Sequence, residues 1–402
     1  MNTNRKIDLP NYQKIRNNNP LLNQSKPYPL KGLLVIDFSR VLAGPYCAKM
    51  LADAGARVIH IERPNTGDDT RLMEPYTKDN VSEYYRLANV GKESIALNLK
   101  DANDRNLAEK MIAKADIVIE NSRPGVMKRL HLDSKEMTAK YPKLIYASIS
   151  GFGQTGELAT NAAYDTTIQA LSGMMDATGT STGTPTRVGT PLTDMVAGMM
   201  AYAGITTALY ARERTGKGTA IDISMLDVMV NLLIEPLVPL LGLGQKSQRT
   251  GNRLPYMYPF DTFMCKDKMI AICAGNDHLW KLLCKALNHF EWIDQSKFKT
   301  NILRDQNWQQ VKQAMENVLK THSAIYWHQQ LSKVGVPNSI VQNVADTIQM
   351  KQVADRGIIK TLADGQNVLG TPLNFSTWNS YGATADAPAL NEDGKKIRKE
   401  FE

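Results

Sequence analysis

The chain has 402 residues, of which 43% are hydrophobic and 22% are charged. This composition is typical of a globular protein with a large core, and it excludes disorder or a fibrous repeat for the bulk of the chain. The 48 Lys and Arg residues exceed the 40 Asp and Glu residues, which gives a formal net charge of +8. This excess favours a nucleic acid, an anionic lipid or a small anionic ligand as partner, and composition does not choose among them.

The N-terminal residues 1–29 are polar and rich in Asn, without the apolar run of a signal peptide, and they predict a flexible extension. The longest apolar stretch, 225–244, contains two acidic residues and two prolines, so we expect a buried helix and a linker rather than a membrane span. Because the cysteines form no Cys-x-x-Cys pair, we expect reduced thiols and a cytoplasmic protein. The cysteines are Cys47, Cys265, Cys273 and Cys284.

Strands and helices are predicted to alternate along the first 230 residues. Residues 33–38 and 57–63 predict buried strands, and residues 44–55 between them predict a helix. A strand, a helix and a strand within about 30 residues form a unit with parallel pairing. The alternation continues with strands over 94–99, 115–120, 143–149 and 219–224 and helices over 104–113 and 194–212. It predicts a doubly wound α/β domain with a Rossmann-like parallel sheet.

The second half of the chain has a different texture. All five Trp residues lie there, residues 259–275 alternate like a hairpin, and residues 277–335 have a helical pattern. This predicts a smaller α+β domain. The predicted organisation is an extension 1–29, a large α/β domain 30–230, a linker 231–250, a small domain 251–335 and a segment 336–402 rich in Pro and Gly turns.

The most obvious motif is Gly-Phe-Gly-Gln-Thr-Gly over residues 151–156. It follows a predicted strand, as a dinucleotide-binding loop does, but the next helical pattern starts only near Asp165. A glycine-rich loop that shapes a pocket is the alternative interpretation. The six histidines are scattered without metal-ligand spacing, so no metal site is predicted and the chemistry is expected to use carboxylates or hydroxyls.

One carboxylate precedes a predicted helix directly. Asp194 stands before the Met-Val-Ala-Gly-Met-Met sequence, where an Asp can be an ordinary N-cap. The same position also offers unpaired N–H groups and the positive end of the helix dipole. These would keep a partly buried carboxylate ionised, as a nucleophile requires. Both interpretations stay open at this point.

Basic residues follow several predicted strands. Arg63 ends one strand, Lys100 follows the next, and Arg123 and Arg129 follow the strand that ends at Glu120. In an open α/β sheet, ligands bind at the carboxyl ends of the strands. The four cations therefore favour a small polyanionic ligand over a long duplex, with solvated surface charge as the plain alternative for each of them.

Several of these stretches together resemble a known family. They are Leu-Ala-Gly-Pro at 42–45, Ile-Glu-Arg-Pro at 61–64, Leu-Asn-Leu-Lys at 97–100, Asn-Ser-Arg-Pro-Gly at 121–125, Ser-Gly-Phe-Gly-Gln at 150–154, Asp194 with its helix, and Thr-Gly-Lys-Gly at 215–218. In this order they resemble the class III CoA-transferases, which include the formyl-CoA and carnitine CoA-transferases.

The resemblance implies a fold, an assembly and a set of site residues. It implies an interlocked homodimer, and a Rossmann-like large domain that residues 336–402 complete. Asp194 matches the family's catalytic aspartate. The positions that match residues holding CoA are Ala43, Arg63, Lys100, Asn121, Arg123 and Arg129. The positions that match the substrate pocket are Leu42, Tyr164 and Asp165.

The resemblance also implies an activity. An acyl-CoA:carboxylate CoA-transferase would move CoA from an acyl-CoA to a small carboxylic acid through aspartyl anhydride and aspartyl-CoA thioester intermediates. It would use no metal and no prosthetic group, and CoA would be a substrate. Leu42 replaces the Gln of formyl-CoA transferases, and residues 251–259 lack their glycine run, so formyl-CoA and oxalate are not the expected substrates.

Two alternative functions remain. One is an acyl-CoA racemase or epimerase of the same fold, in which a His would pair with the Asp. Tyr164 stands at that His position. The other is a noncatalytic nucleic-acid-binding protein, which only the net charge and the basic N-terminus favour. The expected partners are thus an acyl-CoA, a carboxylic acid and a second copy of the chain, with no nucleic acid and no membrane.

Overall fold

A computed structural model describes residues 26–77, 79–363, 365–379 and 382–402. Residues 1–25, which make up most of the predicted extension 1–29, lie outside the described residues. The chain divides into two compact units. One contains the described residues up to Met174 together with 187–234 and 348–402, and the other contains 175–186 and 235–347.

A six-stranded parallel sheet forms the centre of the first unit, in the order β3-β2-β1-β4-β5-β6. The strands are β1 (Leu34–Asp37), β2 (Arg57–Glu62), β3 (Glu93–Ala96), β4 (Ile117–Glu120), β5 (Ile145–Ser150) and β6 (Thr219–Ser224). The predicted α/β class with a parallel sheet is confirmed. Because β1 lies between β2 and β4, the strand order reverses at β1, and that is where doubly wound sheets open a crevice for ligands.

Helices cover both faces of this sheet. The first helix (Ala43–Asp53) and the long helix (Leu192–Thr215) share one apolar core with Ile119, Ala147 and Ile223. Residues 102–114 and the C-terminal helix share a second core with Ile36, Val118 and Tyr146. These two helices are Ala102–Lys114 and Gly394–Phe401. The other α-helices of this unit are Glu83–Asn89, Val126–Arg129, Ser134–Lys140, Asp165–Leu171, Met225–Leu232 and Lys351–Asp355.

The C-terminal segment attaches to the edge of the sheet. The backbone N–H of Ser94 in β3 donates to Asp393 over 3.0 Å, and Arg398 pairs with Asp104 over 2.9 Å. A short antiparallel pair, Ile359–Thr361 with Asn367–Leu369, belongs to the same segment. Residues 348–402 thus complete the first unit from the far end of the chain.

The second unit has its own sheet and core. Its strands Phe260–Met264, Met269–Cys273 and Asn338–Ile340 form an antiparallel sheet in chain order. Trp280, Phe263 and Trp327 belong to its buried apolar cluster. The helices that lie entirely within it are Asp277–Ala286, Asn301–Gln306, Trp308–Leu319 and Ala324–Lys333. The helix Ile234–Leu243 belongs to it from Glu235 on. The short helices Met174–Ala177 and Val344–Ile348 lie where the chain passes between the units.

Three details differ from the bounds expected from sequence. Residues 234–243 of the expected linker form a helix that tolerates Pro239 inside it. The strand Asn338–Ile340, expected in the return segment, pairs with Met269–Cys273 and so belongs to the second unit. Residues 175–186 also belong to the second unit, where Arg249 donates to the carbonyl oxygens of Asp176 and Gly183. Long-range pairing of this kind leaves no local pattern in the sequence.

No single helix of the described residues is long and apolar enough to cross a membrane. Only the consecutive helices Met225–Leu232 and Ile234–Leu243, taken together across a sharp bend, reach the required length and composition.

Candidate active site

A cavity of about 780 Å³ opens beside the carboxyl ends of β1, β2 and β3 in the first unit. Five Lys and Arg side chains line it, which are Arg40, Arg63, Lys100, Arg105 and Arg129, and the buried ring of His60 borders it as well. Apolar residues, among them Leu97, Val126 and Met127, line the rest of the wall. A pocket with an apolar wall and several cations can hold a ligand that carries both phosphates and an apolar part.

Three of the cations predicted at strand ends, Arg63, Lys100 and Arg129, are thus brought together at one cavity. Strand-end reasoning missed two others. Arg40 directly follows β1 and could have been found by the same rule, whereas Arg105 lies inside the helix Ala102–Lys114 and reaches the cavity only through tertiary packing.

The other predicted CoA residues have different positions. Arg123 is exposed and makes no ion pair within the described part of the chain, and it does not line the cavity. Asn121 accepts from the backbone N–H of Arg40 over 2.8 Å and donates to the carbonyl oxygen of Arg40 over 2.7 Å. It therefore fixes the loop that follows β1. Ala43 is buried at the start of the first helix.

Ala43 lies directly against the long helix. A Cβ atom added at Gly198 would stand 2.7 Å from the carbonyl oxygen of Ala43, so only glycine allows this approach of the two helices. Asp194 lies four residues before Gly198, which places the two on the same face of the long helix, about one turn apart. The start of the long helix, with Asp194, therefore lies near the start of the first helix, with Leu42 and Ala43.

Asp194 does not cap the long helix. The helix begins at Leu192 with Pro191 before it, so Asp194 is the third helical residue, and the N-cap interpretation is wrong. The reason is that Pro191 fixes the backbone two residues earlier than the apolar pattern indicates. Because Asp194 lies in the first turn and does not cap the helix, its carboxyl group is available for chemistry.

The expectation that the helix dipole keeps Asp194 ionised is also wrong. Burial, followed by the negative charge of Asp165, raises the pKa of Asp194 to about 7. Both effects disfavour the carboxylate, which is the direction opposite to that expected from the helix N-terminus. At neutral pH the group is therefore divided between its acid and carboxylate forms.

Asp165 holds the backbone next to Asp194, and Gln169, which the sequence did not single out, holds Asp165 in turn. Asp165 accepts from the backbone N–H of Thr193 over 2.9 Å, next to Asp194. The buried amide of Gln169 donates to both oxygens of Asp165, over 3.1 and 2.9 Å, and accepts from the backbone N–H of Val188. Gln169 lies one helical turn after Asp165 and could have been suggested by that i, i+4 spacing.

The other two predicted pocket residues flank the starts of helices. Leu42 is the residue before the first helix, and Tyr164 precedes the helix Asp165–Leu171 with 72% of its surface exposed. Within the described part of the chain, neither side chain makes a hydrogen bond or an ion pair, which leaves both available to a ligand.

The glycine-rich loop 151–156 does not have the form of a dinucleotide-binding loop. The following helix begins only at Asp165, so no helix N-terminus stands behind the glycines. Instead, the backbone N–H of Gln154 donates to Asp222 over 2.9 Å, which ties the loop to β6. The loop is a turn at the end of the sheet. Within the described residues, no group of three or more His, Cys, Asp or Glu side chains is placed to hold a metal ion.

A buried ionic cluster lies under the loop that follows β1. Asp37, His60 and Lys92 are fully buried, with Asp37 accepting from Lys92 over 2.9 Å and lying 3.1 Å from Nδ1 of His60. These two cations hold the pKa of Asp37 well below its usual range despite burial. The neighbouring carboxylates raise the pKa of His60 to about 9, although burial opposes this. His60 is therefore an imidazolium at neutral pH.

Comparisons with known proteins agree with this geometry. The model of CoA-transferase family III matches residues 30–394. The chain belongs to CoA-transferase family III. It is 46% identical over 374 residues to the acetyl-CoA:oxalate CoA-transferase of Acetobacter aceti, covering 93% of this chain and 96% of that protein. It is 36% identical over 377 residues to the succinyl-CoA:glutarate CoA-transferase of Mus musculus, covering 92% and 86%.

The structural comparison places this family III CoA-transferase in the same fold. A solved CAIB/BAIF family protein from Brucella suis superposes with a TM-score of 0.84 at 34% identity, covering 94% of this chain and all of that one. The chain is an enzyme that transfers CoA between an acyl-CoA and a carboxylic acid. Of the three functions that the sequence left open, the transferase is confirmed.

Proposed function

We propose that the transfer runs through covalent intermediates on Asp194. The carboxylate of Asp194 attacks the thioester carbonyl of the donor, which forms a mixed anhydride and releases CoA as a thiolate. The thiolate then attacks the aspartyl carbonyl, which releases the donor acid and leaves an aspartyl-CoA thioester. The acceptor carboxylate attacks this thioester, and a second anhydride exchange yields the new acyl-CoA and restores Asp194. Division of one difficult exchange into such steps is what a nucleophilic side chain provides.

The observation that carries this proposal is the position of Asp194. It lies in the first turn of a 24-residue helix, buried enough that its pKa reaches about 7, beside the start of the first helix. A carboxylate that is poorly solvated yet half ionised at neutral pH is a stronger nucleophile than an exposed one. The first-turn N–H groups of the helix are suited to stabilising the oxyanions that form at its carbonyl group.

We assign the cavity beside β1–β3 to CoA. Its five Lys and Arg side chains can pair with the phosphates, and its apolar wall can cover the rest of the CoA molecule. Arg63, Lys100 and Arg129 contact the phosphates directly in this proposal. Asn121 acts through the backbone of Arg40, Ala43 through its backbone beside the long helix, and Arg123 stands outside as a further cation.

The acceptor class follows from the relatives. Two of them carry the names of oxalate and glutarate CoA-transferases. We therefore propose a short dicarboxylic acid as acceptor, which binds beside Leu42, Tyr164 and Asp165. The oxalate activity in the name of the Acetobacter aceti relative speaks against the expectation that oxalate is not used, so oxalate belongs among the acids to be tested.

We also propose that the enzyme is an interlocked homodimer in the cytoplasm. The part of the helix Ile234–Leu243 that lies in the second unit leaves four large apolar side chains exposed to solvent: Val238 (65% exposed), Leu240 (46%), Leu241 (79%) and Leu243 (71%). Several large apolar side chains exposed on one short helix are typical of a protein interface. A second copy of the chain would cover them. Replacing Leu241 with Lys should shift the sedimentation profile towards the monomer, and an unchanged profile would contradict this assignment of the interface.

The decisive test compares Asp194→Asn with Glu213→Gln. Both changes neutralise a carboxylate on the long helix, but Glu213 is exposed near its far end. Exchange of CoA between succinyl-CoA or acetyl-CoA and labelled oxalate or glutarate should fall at least a thousandfold in Asp194→Asn and stay unchanged in Glu213→Gln. Mass spectrometry of the quenched wild-type protein should show CoA attached to the peptide that contains Asp194. Exchange at the wild-type rate in Asp194→Asn would refute the covalent role.

A further inference from the structure

The loop between β1 and the first helix, residues 39–42, has an unusual backbone. Val41 has a φ of +68°, in the left-handed region that a β-branched residue rarely adopts. A residue held in this way is strained, and the surrounding structure must enforce the conformation. The strain lies at a functional place, because Arg40 lines the cavity and Ala43 lies against the long helix that carries Asp194.

Three consecutive backbone N–H groups of this loop are each held by a side chain from a different element. The N–H of Ser39 donates to Asp37 over 3.0 Å, that of Arg40 donates to Asn121 over 2.8 Å, and that of Val41 donates to Asp68 over 3.0 Å. These side chains come from β1, from the turn after β4 and from the turn after β2. The loop is therefore clamped from three sides.

His60 joins two of these clamps. It is fully buried on β2, its Nδ1 lies 3.1 Å from Oδ2 of Asp37, and its Nε2 lies 3.7 Å from Oδ2 of Asp68. Oδ2 of Asp68 is also the atom that accepts from Val41. Buried carboxylates need compensating positive charge. The imidazolium of His60 lies between Asp37 and Asp68, and Lys92 pairs with Asp37 as well.

The start of the helix confirms how tightly the loop is folded back. A Cβ atom added at Gly44 would lie 2.2 Å from Cβ of Ser39, so the loop returns onto the helix start at a distance that only glycine permits. A change in the loop would therefore move both its ends, the one at the cavity and the one at the first helix.

We propose that His60 is a positioning residue for acyl-CoA binding: it holds Asp37 and Asp68 in the geometry that keeps residues 39–42 in their strained shape, and so sets the place of Arg40 at the cavity. This inference rests on the proposed assignment of the cavity to CoA. It assigns to His60 no contact with the reacting atoms, so it predicts an effect on the KM for acyl-CoA rather than on kcat.

The first test is the change His60→Gln, which keeps a polar side chain but removes the charge. We expect the KM for acyl-CoA to rise about tenfold while kcat stays within about twofold of wild type. The matched control is His278→Gln, because His278 is an exposed histidine of the second unit, and neither constant should change there. An unchanged KM in His60→Gln, or a loss of kcat with the KM preserved, would overturn the proposal.

A second variant separates positioning from a simple loss of charge. Glycine adopts a φ of +68° without strain, so Val41→Gly should keep the shape of the loop with less help from the clamps. In this background, His60→Gln should raise the KM less than threefold. An undiminished tenfold rise would mean that His60 acts by long-range charge, and the positioning role would be refuted.

A measurement on the wild-type protein keeps the proposal testable if His60→Gln does not fold. The pKa of His60 is raised to about 9, so in the native protein its charge is nearly complete below about pH 8 and is lost as the pH rises through about 9. The KM for acyl-CoA should therefore rise above pH 9, and a KM that stays flat from pH 7 to 10 would contradict the role. The charged and titratable groups that face this cluster are Asp37 from β1, Asp68 after β2, Glu62 within β2, Lys92 before β3 and Cys47 from the first helix.

Failure of this inference is distinct from failure of the proposed function. If wild-type enzyme exchanges CoA and Asp194→Asn does not, the function stands whatever His60→Gln does. If Lys100→Ala leaves the KM for acyl-CoA unchanged, the cavity does not bind CoA. In that case the assignment of the cavity to CoA and the positioning role of His60 fail together.

Discussion

Replacing Asp165 by asparagine is expected to lower the pKa of Asp194 and to move the acidic limb of the pH profile. The pKa of Asp194 is raised from 3.8 to about 7, and burial is a larger cause than the charge of Asp165. The charge of Asp165 therefore accounts for less than half of the shift. We expect its removal to lower the pKa by about one unit, within the range that a nearby like charge produces.

The consequence is largest below neutral pH. If the carboxylate of Asp194 is the nucleophile, the rate follows the ionised fraction. With a pKa of about 7, about a tenth of Asp194 is ionised at pH 6; with a pKa about one unit lower, about half is ionised. The ratio of kcat/KM at pH 6 to its plateau value should therefore rise about fivefold in Asp165→Asn. The shape of the profile is the quantity to compare, because the lost contacts with Gln169 and Thr193 also lower the plateau.

The assay is initial-rate CoA exchange from pH 5 to 9 in buffers of constant ionic strength. Asp165→Glu is the matched control, since it disturbs the same contacts but keeps the charge, and its midpoint should stay near that of wild type. Two results would refute the reasoning. One is a midpoint in Asp165→Asn equal to that of wild type, and the other is a wild-type rate that is constant across the range.

Three further predictions concern stability. The pKa of Asp194 is higher in the native state than in the unfolded chain, so the ionised carboxylate destabilises the native state once the pH exceeds the pKa of the unfolded chain. In urea unfolding at pH 8, Asp194→Asn should therefore be more stable than wild type by about 2–3 kcal/mol. Below about pH 4 the two proteins should be equally stable. Arg304 is fully buried in the second unit and donates to three backbone carbonyls and an aspartate, so Arg304→Met should lower the free energy of unfolding of that unit by about 3–5 kcal/mol. A Cβ at Gly218 would lie 2.0 Å from the carbonyl oxygen of Leu144, so Gly218→Ala should lower the melting temperature, whereas Gly189→Ala, with open space around it, should not. Equal melting temperatures for the two alanine variants would show that the backbone there adapts.

Much of the candidate site was accessible from sequence because parallel strands place their carboxyl ends along one edge. That rule alone brings Arg63, Lys100 and Arg129 to the same cavity, although they are far apart in the chain. It does not reach Arg105, which comes from a helix, nor does it separate Arg123, which is exposed beside the cavity, from the residues that line it. Side-chain direction at the end of a turn depends on packing with other elements.

The resemblance to class III CoA-transferases identified Asp194 as the candidate nucleophile, but its ionisation was predicted with the wrong sign. A local argument includes the helix dipole, which acts within one turn. It omits desolvation and the charge of Asp165, because both come from elements folded against the helix start. Gln169, which orders Asp165, is four residues after it in the same helix, so its i, i+4 spacing was the local signal that could have identified it.

By itself the sequence determined the α/β class, most strand positions and, through the order of its motifs, the family. Apolar periodicity and turn residues act locally, and they persist in any context. Only the tertiary structure decided how the charges were used. The 48 Lys and Arg residues include cations at the cavity, such as Lys100, and buried cations such as Lys92, whose charge Asp37 neutralises within the core. Whether a basic side chain binds a ligand or pairs inside the core depends on its burial and on the charged partner within about 4 Å. Neither its burial nor its partner is encoded at any single position of the chain.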